Sequence, residues 1–360
     1  MRVSKHRIQS IQSLRGLSII VIFIGHTGML FNWAELGVSV FFAMSGLLMM
    51  YNREGDNESS SLANNIQFSL RRVAKLYKLH ISTMCVAIVM YILSFGGHLS
   101  KGDWLSLGLK TSLNITLLQT WFPHSSINQS LNGVAWYLSV TAFLYFTFPW
   151  IKEKIDKASI KKTVVLLMTV ALVEIIVTYL VLRVVGVDSP VYTWIRYYFP
   201  VFRMVDFYAG CVLFKISSNV KNIEKGSRIK VVLHLLLCFA LTYSLFLLKG
   251  VESKSLFTLN LQYSSVPVVG IACIWVALFF VNDGYLPKLI DNSVLRHMGN
   301  ISGAFFLIHY VVIRACKQII GIMDIIPNSY MKWLLFIVEF IVSFVLSEIY
   351  VRTKRRQKSE

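Results

Sequence analysis

The sequence predicts an all-α, polytopic membrane protein of about ten transmembrane helices with both termini cytoplasmic. Three observations carry that expectation. Of 360 residues, 55% are hydrophobic and only 15% charged, with a mean hydropathy of +0.61; a soluble domain carries about 25% charged and about 45–50% apolar residues. The apolar residues come in runs of roughly 18 rather than in alternation, long enough to cross about 30 Å of hydrocarbon at about 1.5 Å per residue. The 36 Lys and Arg outnumber the 18 Asp and Glu, for a net charge of +18, and they are unevenly distributed among the gaps between runs. A soluble globular enzyme and a disordered chain are both excluded.

The runs fall at 16–32, 36–51, 76–95, 134–151, 163–185, 198–214, 231–248, 262–281, 299–320 and 332–351. No small-residue cleavage site follows the first, so it reads as a retained anchor rather than a removed signal peptide. The mixed stretch Trp104–Thr120 is amphipathic enough to lie at the interface or to dip in and return, and is not counted as a span. With the N-terminus inside, ten spans assign 26 of the 36 Lys and Arg to the cytoplasmic side and eight to the outer side, leaving Arg203 and Arg314 within spans. That asymmetry is what the positive-inside rule requires, and it accounts for the basic surplus without nucleic acid as a partner. No repeat or long linker divides the chain, so residues 1–360 read as a single membrane domain with no soluble domain appended. Cys85, Cys211, Cys238, Cys273 and Cys316 all lie in apolar runs without CxxC spacing, which suggests neither a disulfide framework nor a metal site.

Ionisable groups within spans are costly and therefore functional candidates. Arg15 and His26 are eleven residues apart, about three helical turns, so both face one way with about 16 Å between them. Arg15 would sit at the inner interface, either as a topogenic, snorkelling side chain or as a working one. His26 would sit near mid-membrane, as a packing histidine, a general base or a nucleophile that accepts an acyl group. In Gly37–Gly46 of the returning helix, the glycines permit close helix approach, and Ser45 reads as a cross-helix hydrogen-bonding group or a nucleophile. Arg71, Arg72, Lys75 and Lys78 lie at helical spacing at the inner interface, suited to lipid headgroups or to the phosphates of a nucleotide-like donor.

These stretches occur in a telling order: Arg15-x10-His26, then GVSVFFAMSGLL, RRVAKLYKLH, AWYLSVTAFLYFTFP, RMVDFYAG and GNISGAFFLIH. From about residue 9 to residue 350 the chain resembles the membrane-bound acyltransferase-3 family, which O-acetylates sugars of bacterial surface polysaccharides and related carbohydrates. The resemblance places the family's essential arginine and histidine on Arg15 and His26 and its late histidine on His309. The chain departs from the family pattern at Ser39, where Asp is common, at Thr141 and Asp206, where Glu is common, at Lys75 and Lys78 in the basic motif, and at Gly303 and Phe306 in place of tyrosines.

By depth, His309 lies about 15 Å into a span that starts inside and Ser45 about 14 Å into one that starts outside, so both are expected at the level of His26. Glu35, Trp136, Arg203 and Asp206 are expected near the outer face as acceptor-side groups. Arg203 and Asp206, at i and i+3, suit either a structural ion pair or a substrate site. The resemblance implies acetyl-CoA as a cytosolic donor substrate, its phosphates on Arg71, Arg72 and Lys75, with no permanently bound cofactor. Transfer to a polysaccharide or lipid-linked sugar would then involve His26, Arg15, His309 and Ser45 in the bacterial inner membrane. A multi-span exporter or flippase of lipid-linked sugars, and a shuttle that passes the acyl group to a separate outer transferase, are the competing readings.

Overall fold

The computed structural model describes residues 5–30, 33–54, 61–219, 236–237, 240, 265–281 and 290–359, and every regular element among them is helical. In chain order the principal helices are α1 (Lys5–Thr27), α2 (Ala34–Asn52), α3 (Leu62–Ser94), α4 (Lys101–Ile115), α5 (Trp136–Lys157), α6 (Ile160–Val185), α7 (Met204–Asn219), α8 (Val266–Val281), α9 (Ser293–Ile322) and α10 (Ser329–Ser359). Seven of them (α1, α2, α3, α5, α6, α9 and α10) are long and apolar enough to cross a membrane, whereas α8 supplies only a shorter apolar stretch. The expected span 231–248, with Cys238, falls almost wholly outside the described residues. The helix of Trp104 is α4, fifteen residues long with its N-terminus closed by a Ser100–Asp103 capping box, and it is not among the seven.

The helix ends differ from the apolar runs where polar residues supply caps. Ser61 accepts a hydrogen bond from the Asn64 N–H, so α3 starts fourteen residues before its apolar run, and its polar first half carries Arg71, Arg72 and Lys75. α10 likewise runs past its apolar stretch through Lys354 and Arg355. α1 stops early, because Gly28 takes φ +70° directly after Thr27, the left-handed conformation that ends helices. The expected span 198–214 is broken: Trp194–Tyr198 forms a π-helical turn, and α7 begins only at Met204. Pro200 lies in the break, where it lacks an N–H and biases Phe199 away from helical geometry.

A central group of α1, α2, α7, α8 and α9 shares one apolar core that includes Phe23, Phe42, Met44, Phe207, Phe279 and Phe305. Glycine contacts draw the helix axes together, Gly16 and Gly299 between α1 and α9 and Gly46 and Gly210 between α2 and α7. A Cβ on Gly299 would stand 2.9 Å from the carbonyl carbon of Gln12 on α1, and one on Gly46 would stand 3.0 Å from that of Phe207 on α7. α6 and α10 lie at the periphery and turn Leu166, Met168, Leu172, Ile176, Leu334, Ile337, Ile341 and Ile349 outward. Apolar strips this long are stable only against hydrocarbon. α1 runs parallel to α9 and antiparallel to α10: Gln12 lies beside Gly299, and His26 beside His309. Phe23 packs on Phe340, while Lys354 bonds to the Lys75 carbonyl near the start of α3. The start of α1 and the end of α10 therefore share one face of the bundle.

Candidate functional site

The site has two parts stacked along α1. Toward the terminus-bearing face, a cavity of about 650 Å³ opens between α1, α2, α3, α5, α9 and α10, and Arg15, Ser45, Arg72 and Lys75 line it. One helical face of α3 turns Arg72 and Lys75 to the cavity, and Phe68 lies on the same side, its ring 5.2 Å from the Arg72 guanidinium. Arg71 and Lys78 are exposed elsewhere and do not line it; of the three expected donor-binding residues, Arg71 alone is left out. The Arg15 guanidinium sits 5.8 Å from the Phe41 ring, so α1 and α2 lie side by side at this depth.

Ser45 is placed differently from the depth estimate. α2 descends from Ala34, and Phe41 already faces Arg15, so Ser45, one turn further on, belongs to the cavity rather than to the level of His26. It shares the cavity lining with Tyr137 and Tyr145 of α5, two residues that sequence reasoning passed over within the aromatic run WYLSVTAFLYF.

At the inner end of the cavity, Phe41, Tyr137 and Phe306 form an aromatic layer, with Tyr137 and Phe306 5.0 Å apart and Phe41 and Phe306 6.5 Å apart between ring centroids. Phe306 in turn lies 5.9 Å from His309. His26 and His309 meet on the far side, His26 Nδ1 being 2.9 Å from His309 Nε2 with the rings stacked at 5.1 Å. His26 occupies the last turn of α1, because Gly28 ends the helix there. His309 is fully buried, and its Nδ1 lies 3.0 Å from the Phe305 carbonyl oxygen. A carbonyl can only accept, so His309 Nδ1 carries the proton and donates it. With both rings neutral, His309 Nε2 is then an acceptor and His26 Nδ1 its donor, which leaves the lone pair of the pair on His26 Nε2.

Tyr310 closes one flank, its ring 5.3 Å from His26 and in contact with the backbone at Gly133, where a Cβ would stand 2.7 Å from the Tyr310 ring. The 131–133 turn is fixed from several sides. Asn132 donates to the Leu307 carbonyl at 2.9 Å and to the Thr83 hydroxyl at 3.1 Å, and Arg314 donates to the Leu131 carbonyl. Arg314, an intramembrane charge by sequence, thus serves a backbone carbonyl.

The four expected outer residues form one neighbouring cluster. Arg203 is buried, donates from Nε to the Tyr197 carbonyl at 2.7 Å, and reaches Asp206 and the Ser39 hydroxyl at 3.4 Å each. Its guanidinium lies 4.5 Å from the Tyr197 ring and 5.9 Å from Trp136. Glu35 accepts both guanidinium nitrogens of Arg196, at 3.1 and 3.4 Å. Arg196 lies in the π-helical turn, a feature that often marks functional positions, and in the sequence it counted only as an outer charge. Tyr198 packs on Trp136 at 5.1 Å and accepts a bond from Gln129.

A family model described as an acyltransferase domain matches residues 8–352. The acyltransferase MdmB of Streptomyces mycarofaciens is 26% identical over 296 residues, which cover 80% of this chain and 70% of that protein. The peptidoglycan O-acetyltransferase OatA of Listeria monocytogenes is 26% identical over 98% of this chain, which spans 56% of that protein's length. No solved structure matches the chain. A family match over nearly the whole length, on a bundle of membrane-length apolar helices, settles the class: the chain belongs to the acyltransferase-3 family and is a multi-pass membrane acyltransferase.

Proposed function

We propose that the protein transfers an acetyl group from cytosolic acetyl-CoA to a sugar hydroxyl of a bacterial surface polysaccharide or lipid-linked glycan, within the inner membrane. The observation that carries the proposal is the hydrogen-bond chain from the Phe305 carbonyl through His309 to His26, one aromatic layer beyond a cation-lined cavity. In that chain His26 Nε2 holds a lone pair while its Nδ1–H is committed to His309, the arrangement that suits a general base. His26 takes the proton of the sugar hydroxyl as its oxygen attacks the thioester carbonyl. The new C–O bond forms, the C–S bond breaks, and the proton passes to the departing thiolate of coenzyme A. His309 acts as a positioning residue that holds the tautomer and plane of His26.

Arg72 and Lys75 meet the donor's phosphates at the mouth, Arg15 and Ser45 lie along the path of its pantetheine arm, and that arm spans the roughly 16 Å from Arg15 to His26. The acceptor enters from the opposite face, beside Trp136 and the Glu35, Arg203 and Asp206 group. Stacked aromatic rings and fixed charged groups are the surfaces that sugars bind.

The test is transfer of label from acetyl-CoA to glycan in membranes carrying the full chain, compared at equal protein levels. His26→Ala is expected to lower the rate by about 10²–10⁴-fold, the usual contribution of a general base. His309→Gln is expected to lower kcat while leaving KM for acetyl-CoA unchanged. His26→Ala with an undiminished rate overturns the mechanism, and no glycan label with the wild-type chain overturns the reaction.

A further inference from the structure

A second cavity, of about 340 Å³, opens on the terminus-bearing face between α1 and α9. Gln9 and Gln12 of α1 line it, with Ser293, Arg296, His297 and Asn300 of α9. The donor cavity continues the same two rows of side chains. On α1 the row runs Gln9, Gln12, Arg15, and on α9 it runs Arg296, Asn300, Gly303, Leu307. Steps of three or four residues keep each row to one helical face. Gln12 and Asn300 line both cavities, so the small one adjoins the large one across this pair of side chains.

The charged groups of the small cavity are tied to carboxylates. Arg296 pairs with Asp291 at 3.5 Å, and His297 Nε2 lies 2.5 Å from a Glu348 carboxylate oxygen. These contacts hold a planar guanidinium and an imidazole at the rim. The amide oxygen of Gln12, by contrast, is buried and has no hydrogen-bond partner among the described residues. Leaving a buried acceptor unmet is costly, so a folded protein keeps one chiefly where a ligand or a water can meet it. Asn300 follows Gly299, the residue against which the Gln12 backbone packs, so both carboxamides belong to the seam between the cavities. A carboxamide presents a donor and an acceptor side by side, the pattern that complements the amino group and N7 of adenine. Guanine shows acceptors alone on that edge and does not match. Guanidinium and imidazole planes are surfaces on which bases stack.

We propose that the α1–α9 pocket holds the adenine of the donor nucleotide, with Gln12 and Asn300 reading its edge and Arg296 and His297 flanking its face. The inference rests on the acetyl-CoA reading above. It adds a base-specific subsite that neither the basic motif of α3 nor the histidine pair supplies, placed where the nucleotide end lies outside the cavity that takes the arm.

The test measures binding of coenzyme A, adenosine 3′,5′-diphosphate and guanosine 3′,5′-diphosphate to the full chain in nanodiscs of phosphatidylcholine, with thermal melting as the check on folding. The wild-type chain is expected to bind the adenosine nucleotide at least about fivefold more tightly than the guanosine one, the lower end of what a matched amide contact discriminates. Gln12→Met/Asn300→Leu is expected to erase that preference by weakening the adenosine nucleotide and coenzyme A while leaving the guanosine nucleotide unchanged. Asn300→Leu alone should reduce the preference part of the way. A wild-type chain that binds coenzyme A without preferring the adenosine nucleotide overturns the adenine pocket and leaves the donor reading standing. So does a double variant that keeps the preference, or that loses both nucleotides to the same extent. A wild-type chain that binds neither coenzyme A nor either nucleotide overturns both.

Discussion

Replacing Gly299 with alanine tests the contact on which the depth of the site depends. The added Cβ would stand 2.9 Å from the Gln12 carbonyl carbon and 3.3 Å from its Cα, and closer still to the oxygen. Carbon atoms prefer about 3.5–4.0 Å, and a backbone carbonyl cannot swing aside as a side-chain tip can, so α1 and α9 must separate by roughly 1 Å. Overpacking of this kind costs about 1–3 kcal/mol. The same two helices carry His26 and His309, whose nitrogens are 2.9 Å apart, about three turns further along. A shift of roughly 1 Å stretches that bond past useful length, and a misplacement of this size costs on the order of 10²-fold in rate. The assay pairs thermal melting of the purified chain with transfer of acetyl label. The control is Gly108→Ala in α4, where a Cβ meets nothing within 4 Å. Gly299→Ala is expected to lower both Tm and rate, and Gly108→Ala neither. A Gly299→Ala protein that matches wild type in both would refute the claim that backbone contact at Gly299 sets the histidine pair.

Two further outcomes follow from the charged groups. Glu35→Gln leaves Arg196 without its partly buried carboxylate partner and should lower stability by about 1–3 kcal/mol; the swap Glu35→Arg/Arg196→Glu should recover part of the loss in thermal melts if the pair matters as a pair. Asp103 is held below the ordinary carboxylate range, chiefly by the Ser100 hydroxyl and then by the Ser100 N–H. Because its folded value is depressed, its contribution to the first turn of α4 is present above the ordinary carboxylate pKa, about 3.9, and is lost only as pH falls below it. Amide exchange at 102–104 should therefore stay flat from neutral pH down to about 4, once corrected for intrinsic rates, and accelerate below; Asp103→Asn should remove that dependence.

The charged residues divide by what surrounds them rather than by their depth. Arg203 and Arg314 are both intramembrane by sequence, yet Arg314 serves the Leu131 carbonyl, whereas Arg203 joins Asp206, Ser39, Tyr197 and Trp136. Asp291 accepts from Ser13 at 2.6 Å and pairs with Arg296, a local tie between the start of α1 and α9.

The amino-acid sequence by itself determined the class of the protein, because a helix in hydrocarbon must satisfy its own backbone and be apolar for its whole length. That requirement writes α1, α2, α3, α5, α6, α9 and α10 into the composition, and the ordered motifs add the family. It also singled out His26, an ionisable group in an apolar run, and, through the ordered motifs, His309. Their direct pairing depends on a 283-residue closure and on the Gln12–Gly299 contact, which no local pattern encodes. Tertiary structure alone decided that Ser45 sides with Arg15 rather than with His26, because helix crossing and not residue count sets relative depth. It separated Arg72 from Arg71 by the face each presents, and it recruited Arg196 and Tyr137. Charge in a tail or loop reads the same in sequence whether it orients a helix or lines a cavity. The physical difference is what stands opposite it, and for the +18 surplus with which the chain is built, that opposite wall exists only once the helices have packed.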